Sequence, residues 1–216
     1  MPTLLNSSPE IPTIGELLNR LGGVPAERVR YYPLPGTATE RDVLDIEARE
    51  HVHCELVDGV LVEKPVGYEE SYLALLIGTL LNNFVLPRDL GIVTGEAGML
   101  RLFPGLVRAP DVAFVSKVRL PNGKLPHDPI PNLVPDLAVE VLSRSNTVGE
   151  MERKRREYFD AGTQLVWIVD PSARTVAVYF PGSEPIVLQA GQTLGGDPVL
   201  PGFTLEVASL FTNLER

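Results

Sequence analysis

The chain has 216 residues, 44% of them hydrophobic and 22% charged, with a formal net charge of -9 and a single cysteine, Cys54. That length suits one domain with a real core, no apolar run is long enough to span a membrane, and one cysteine cannot form an intrachain disulfide. The acidic balance argues against a broad nucleic-acid footprint, because non-specific affinity for nucleic acid comes mostly from Lys and Arg neutralising phosphates.

The opening "MPTLLNSSPEIPT" has neither a basic nor an apolar targeting region, so a cytoplasmic location is expected. "TIGELLNRLGGVP" predicts a short helix capped by Thr13 and closed by Gly22 and Gly23. A Pro- and charge-rich stretch without a predicted element runs on to about residue 50. Residues 1–50 are read as an N-terminal helix and extended segment belonging to the same unit as the main body, residues 51–216. "HCELVDGVLVEK" holds two short apolar runs around Asp58-Gly59, a hairpin signal. "EESYLALLIGTLLNNFV" has helical spacing, with Glu69 and Glu70 in its first turn and Pro87 past its end. "GIVTG", "AGMLRLF" and "LVRAPDVAFV" are expected as a meander of three strands.

"PDLAVEVLS" predicts a further strand. "TVGEMERKRREYFDAG" predicts a helix capped by Asn146 or Thr147 and stopped at Gly162. "QLVWIVD" and "RTVAVYF" are two more strands, joined through the turn Asp170-Pro171-Ser172. Pro- and Gly-rich chain follows, ending in the apolar-patterned "LEVASLFTNL". The order implies an α/β architecture, a mixed sheet with helices packed on it.

Two acids stand out. Strand alternation puts Glu140 on a face with Ala138 and Leu142, while Leu137, Val139 and Val141 line the other. Asp111 is expected in a similar apolar strand, between Ala109 and Ala113. An unpaired carboxylate in either place would cost several kcal/mol or take up a proton, so each needs a cation or a hydrogen-bond partner. Two such acids on adjacent strands could share one divalent metal. On the helix, Val148, Met151, Tyr158 and Phe159 form an apolar stripe with Lys154 at its edge, placed to reach back to the Glu140 strand. Arg153, Arg156 and Glu157 are expected to point to solvent, and Arg155 falls inside the stripe with no partner in view. A buried Glu140–Lys154 ion pair remains the structural alternative to a metal site. "HVHC" does not make a zinc site: alternation separates His51 and His53 from Cys54, and no second ligand pair exists.

Asp111 in "RAPDVAFV", Glu140 in "PDLAVEVLSRSNT", Lys154 and Tyr158 in "MERKRREYFDAG", and "LVWIVDP" resemble the Uma2 family. These are bacterial proteins catalogued as a domain of unknown function and as candidate restriction endonucleases, within the PD-(D/E)xK nuclease superfamily. The resemblance runs from about "CELVDGVLVEKP" to "TVAVYF" and takes in "LPGFTLEV". It implies a restriction-endonuclease-like mixed β-sheet flanked by helices, with residues 51–216 as the nuclease-like domain. It also implies Mg²⁺, with Mn²⁺ as an alternative, held by Asp111, Glu140, the Val141 carbonyl and Glu70 from the first core helix, Glu69 being the rival. The superfamily lysine would fall at Leu142, and the resemblance moves its role to Lys154. Glu55 in "CELVDG" matches a family position of unassigned role. The implied reaction is hydrolysis of DNA phosphodiester bonds, with a catalytically silent binding or assembly module as the alternative. Given the charge, weak and salt-dependent DNA affinity is expected from a confined basic patch around Arg153 and Arg156. A homodimer would suit cleavage of both strands.

Overall fold

A computed structural model of the chain describes residues 13–65 and 67–215. The N-terminal stretch read for targeting lies outside them, apart from Thr13. No helix among the described residues is long and apolar enough to cross a membrane.

The chain is a mixed α/β protein built on two main sheets. The larger has six strands in the order β10-β9-β8-β7-β6-β3, formed by β3 (Gly91–Gly95), β6 (Val112–Ser116), β7 (Leu137–Val141), β8 (Leu165–Asp170), β9 (Thr175–Tyr179) and β10 (Ile186–Leu188). β7 and β8 run parallel, and their crossover is helix α4 (Val148–Ala161). All other neighbours are antiparallel. The smaller sheet is antiparallel, in the order β2-β1-β5-β4, with β1 (Cys54–Val57), β2 (Val60–Glu63), β4 (Leu100–Phe103) and β5 (Leu106–Arg108). A separate pair, β11 (Thr193–Gly195) and β12 (Thr204–Glu206), leads into α5 (Val207–Phe211).

The alternation along β7 assigns its two faces. Leu137, Val139 and Val141 pack with Leu73, Ile77 and Leu81 of α3 (Tyr68–Val85) and with Val207, Leu210 and Phe211 of α5. The i, i+4 spacing of those α3 residues is what turns one stripe of the helix to the sheet. Ala138 packs on the opposite side with Met151 and Tyr158 of α4, with Leu17 of α1 (Ile14–Arg20), and with the inner face of the small sheet at Val57, Val60 and Val62. The outer face of the small sheet, at Leu56, Leu61 and Val107, is covered by Val43 and Ile46 of α2 (Glu40–Glu50). β1 is therefore buried at all four residues, with apolar side chains directed both ways.

Several elements differ from the sequence expectation. Helix α2 forms inside the stretch read as irregular, where the Asp42 carboxylate accepts the Thr39 N–H at 2.8 Å and caps the helix. "GIVTG", "AGMLRLF" and "LVRAPDVAFV" are not a meander. β3 pairs with β6 in the large sheet and β4 with β5 in the small one. "LVRAPDVAFV" is two strands in two sheets, broken at Ala109-Pro110-Asp111, because proline has no N–H to give to a ladder. Elsewhere, Asp58-Gly59 turns the β1–β2 hairpin with positive φ at both residues. Gly162, at φ 105°, ends α4, whose cap is Thr147, accepting the Glu150 N–H at 3.1 Å.

Helix α4 is also held from its start by the N-terminal segment. The Thr147 hydroxyl donates to the Gly22 carbonyl at 2.7 Å, and the backbones of Gly22 and Gly149 meet so closely that a Cβ on Gly149 would lie 2.6 Å from that carbonyl oxygen. Arg28 forms a buried pair with Glu150 at 2.7 Å and reaches the Ser145 carbonyl at 3.2 Å.

Candidate functional site

The register of β6 on β7 pairs Val112 with Val139 and Ala113 with Ala138. Continued by one residue, it sets Asp111 across from Glu140. The two acids thus reach one place by different routes: Glu140 is a mid-strand residue, and Asp111 is the last residue of the sheet-to-sheet crossing. They line a cleft of about 310 Å³ with Lys64, Glu70, Glu96, the residue Val141 and Lys154.

Each acid is already held. Asp111 accepts the Val141 N–H at 2.7 Å through Oδ2 and the Lys64 ammonium at 2.8 Å through Oδ1. Lys64, just after β2, also donates to the Ala109 carbonyl, which pins the crossing segment. Glu140, 4% exposed, accepts the Tyr158 hydroxyl at 2.6 Å through Oε1 and Lys154 Nζ at 3.1 Å through Oε2. Lys154 and Tyr158 are four residues apart on α4, so they emerge one above the other on the face that meets the sheet.

Behind Lys154 stands a second buried acid. Glu55, on the inner face of β1, lies 3.0 Å from Lys154 Nζ through Oε1, and its Oε2 is 2.6 Å from Arg108 Nη1. The β1–β5 register pairs Leu56 with Val107, which sets Glu55 across from Arg108. Glu55 Oε1 also accepts the Ala109 N–H at 3.2 Å. Arg108 continues to Glu157, and Glu157 to Arg153 at 2.7 Å, which also meets Asp58 at 2.7 Å. An unbroken line of alternating charge therefore runs from the cleft to the surface.

The two glutamates sit in different electrostatic surroundings. Burial pushes the Glu55 carboxyl up, but Lys154 and Arg108 together more than offset this and hold it well below the usual carboxylate range. Burial pushes the Glu140 carboxyl up as well; Lys154 offsets only part of that, and the nearby charge of Asp111 adds to the rise. Burial alone would lower Lys154, yet Glu140 and Glu55 keep its pKa above the usual lysine range, so it is a permanent cation. Tyr158 is pushed up by burial and by Glu140, and stays a hydroxyl donor.

Glu70 lines the cleft from the first turn of α3 and is half-buried, its carboxylate folded over the Cβ-less Gly67, while Glu69 is exposed. Among the described residues no group of three or more His, Cys, Asp or Glu side chains is placed to hold a metal ion. Arg153 and Glu157 do not point to solvent as expected: they are the outer links of the ionic line, and the Arg153 guanidinium also donates to the Arg20 carbonyl. Arg156 is exposed. Arg155 finds its partner in Tyr179 of β9, with the guanidinium 4.9 Å from the ring centre. Val148, expected in the apolar stripe, is exposed at the helix's first residue.

Sequence reasoning missed Lys64 and Arg108. Lys64 reads as an ordinary charged end to a strand. Arg108 does carry a signal, since it sits in "LVRAP", where an interior arginine demands an acid.

The family Uma2, described as "Putative restriction endonuclease", matches residues 41–208. A solved structure titled a "putative nuclease belonging to DUF820", from Anabaena variabilis ATCC 29413, is similar with a TM-score of 0.65 and 22% identity, over 74% of this chain and 90% of that one. No curated protein compared with the chain matches it. The chain belongs to the Uma2 family and has a restriction-endonuclease-like fold, with a mixed sheet flanked by helices.

Proposed function

We propose that this Uma2 chain is a metal-dependent endonuclease that hydrolyses DNA phosphodiester bonds in the cleft lined by α3, β7, α4 and the segment at Asp111. The observation that carries the reading is the opposition of Asp111 and Glu140 on one cleft floor, with a buried ammonium, Lys154, bonded to Glu140.

Mg²⁺ takes oxygen ligands, keeps several waters and is commonly bound by only one or two carboxylates, so the donor set suits it although three acids do not converge. Asp111 and Glu140 would be the anchors, with the Val141 carbonyl and Glu70 beside them, and Mn²⁺ would use the same oxygens. Burial first, and then the charge of Asp111, raise the Glu140 carboxyl although Lys154 faces it, and a further cation between the two acids would offset both effects. A divalent cation bound there would supply a Lewis acid that lowers the pKa of water and offsets charge on the phosphate.

The chain's own residues do the rest. The Val141 N–H fixes Asp111 and the Tyr158 hydroxyl fixes Glu140, so neither carboxylate must be ordered when substrate arrives. Lys154 stays protonated because Glu140 in front and Glu55 behind both face it, and it presents a fixed positive charge to the attacking water or the phosphate. We further propose that the catalytic unit includes residues 1–50 with 51–216, since Arg28 and Gly22 brace α4, the helix that delivers Lys154.

The reading is tested on supercoiled plasmid DNA. Nicking in Mg²⁺, its loss in EDTA and its loss in Glu140→Gln support it; an inert wild type with Mg²⁺ and with Mn²⁺ refutes it. A silent binding module is favoured by one observation, that both acids already have ammonium partners. That reading gains if DNA or a protein partner binds without cleavage. Two copies related by a two-fold axis would place two clefts on the two strands of a duplex, so the enzyme is proposed to act as a homodimer.

A further inference from the structure

The cleft holds two lysines, and their surroundings differ. Lys154 is shared between two acids, Glu140 at 3.1 Å and Glu55 at 3.0 Å, so it keeps a buried partner if Glu140 turns elsewhere. Lys64 is bonded to one acid, Asp111, and to a neutral carbonyl, that of Ala109. Its side chain is 5% exposed, and it lines the same cleft. Neither the family likeness nor the superfamily pattern gives it a role.

We propose that Lys64 is a phosphate-contacting residue held in reserve, an ammonium that guards Asp111 in the metal-free protein and is released to the scissile phosphate when a divalent cation takes its place at Asp111 Oδ1. The inference rests on the nuclease reading above. Asp111 Oδ1 serves either Lys64 or a metal fully, because each wants the same lone pairs and two cations at one oxygen repel. Once released, Lys64 loses its carboxylate partner and keeps only a carbonyl. It is then a cation on the wall of a cleft it shares with Glu70 and Glu96, and a phosphate entering beside the bound cation supplies anionic oxygens in place of those it has lost. Lys154 differs in that it is not released: Glu55 continues to hold it, so its charge stays fixed where it stands. The arrangement also keeps Asp111 and Glu140 from repelling one another before metal arrives, each having its own ammonium.

Calorimetric titration of Mg²⁺ into wild type, Lys64→Met and Lys64→Arg, with plasmid cleavage by each, tests this. Lys64→Met removes the competitor and should bind Mg²⁺ roughly ten-fold more tightly, while cleaving about a hundred-fold more slowly at saturating metal because the phosphate contact is gone. Lys64→Arg, which keeps the cation, should bind Mg²⁺ as wild type does; melting curves confirm that both variants are folded. Unchanged or weaker Mg²⁺ affinity in folded Lys64→Met overturns the proposal while leaving the nuclease reading intact, provided wild type binds metal and cuts. Tighter binding together with faster cleavage overturns the phosphate contact. Absence of Mg²⁺ binding in wild type overturns both.

Discussion

Glu55 and Glu140 share one lysine, yet neutralising them should have very different consequences for the metal-free protein. Glu55→Gln removes the charge that faces Lys154 at 3.0 Å and Arg108 at 2.6 Å, both buried. The Ala109 N–H can still reach an amide oxygen, but two cations are left on the acids that remain, and breaking a buried pair in this way costs about 3–5 kcal/mol. Glu140→Gln removes a carboxylate that burial and Asp111 already disfavour, and Lys154 keeps Glu55. The cost there should be about 1 kcal/mol or less. For a chain of this size, 1 kcal/mol moves the melting temperature by roughly 2–4 °C. Melting in EDTA near neutral pH should therefore fall by roughly 6–20 °C in Glu55→Gln and by no more than about 4 °C in Glu140→Gln. The pH dependence has a definite sign. Glu55 has a depressed folded-state pKa, so its contribution is present above the ordinary value of 4.5 and is lost as pH falls through the lower folded value. The gap between wild type and Glu55→Gln should stay flat through the neutral range and narrow only below pH 4.5. Equal losses, or a larger loss in Glu140→Gln, would refute the claim that Glu55 is the anchor of Lys154.

Burial pushes the Cys54 thiol up to about 12, so a disulfide reagent at mildly alkaline pH should label it only on unfolding; rapid labelling of the native protein would mean that β1 opens. Gly149→Ala should destabilise the fold by about 1–3 kcal/mol, because its Cβ would meet the Gly22 carbonyl at 2.6 Å, whereas alanine inside a free helix would stabilise it; a raised melting temperature would show that α1 does not dock there. DNA affinity measured by anisotropy should be weak and fall steeply with salt, with Arg156→Ala reducing it and Arg153→Ala doing so less, since Arg153 is bonded to Asp58 and Glu157; tight binding insensitive to salt would contradict the charge argument.

What could be read from the sequence follows the range of each interaction. The Asp58-Gly59 turn, the Gly162 end of α4 and the two faces of β7 are set by neighbours within a few residues and appear as read, and of the two caps open at the start of α4, Asn146 and Thr147, the structure takes Thr147. Glu140 announced itself as an acid in an apolar strand, and its reach to Lys154 followed from helix phase. Glu55 stood in an equally apolar run, but Arg108 is 53 positions away, and no local periodicity reports a pairing across β1 and β5. Lys64 was hidden for the same reason: its place depends on the crossing at Pro110, where one apparent strand divides between two sheets. Helix α2 escaped because its apolar face is short, Val43 and Ile46 with Leu44 beside them, and its sign was the Thr39–Asp42 cap. Arg155 looked misplaced in an apolar stripe until β9 supplied Tyr179 beneath it.

The central claim is that Asp111 and Glu140 form a divalent-cation site, and the most direct measurement is the melting temperature of wild type and Glu140→Gln in EDTA and in Mg²⁺. Binding to the folded state alone stabilises it by about 2.7 kcal/mol at a hundred-fold excess over Kd, which is a shift of roughly 5–11 °C in a chain of this size. The account predicts such a shift in wild type and its disappearance in a Glu140→Gln variant that is itself folded. A wild type whose melting is unmoved by Mg²⁺, or a shift that survives in Glu140→Gln, would contradict it.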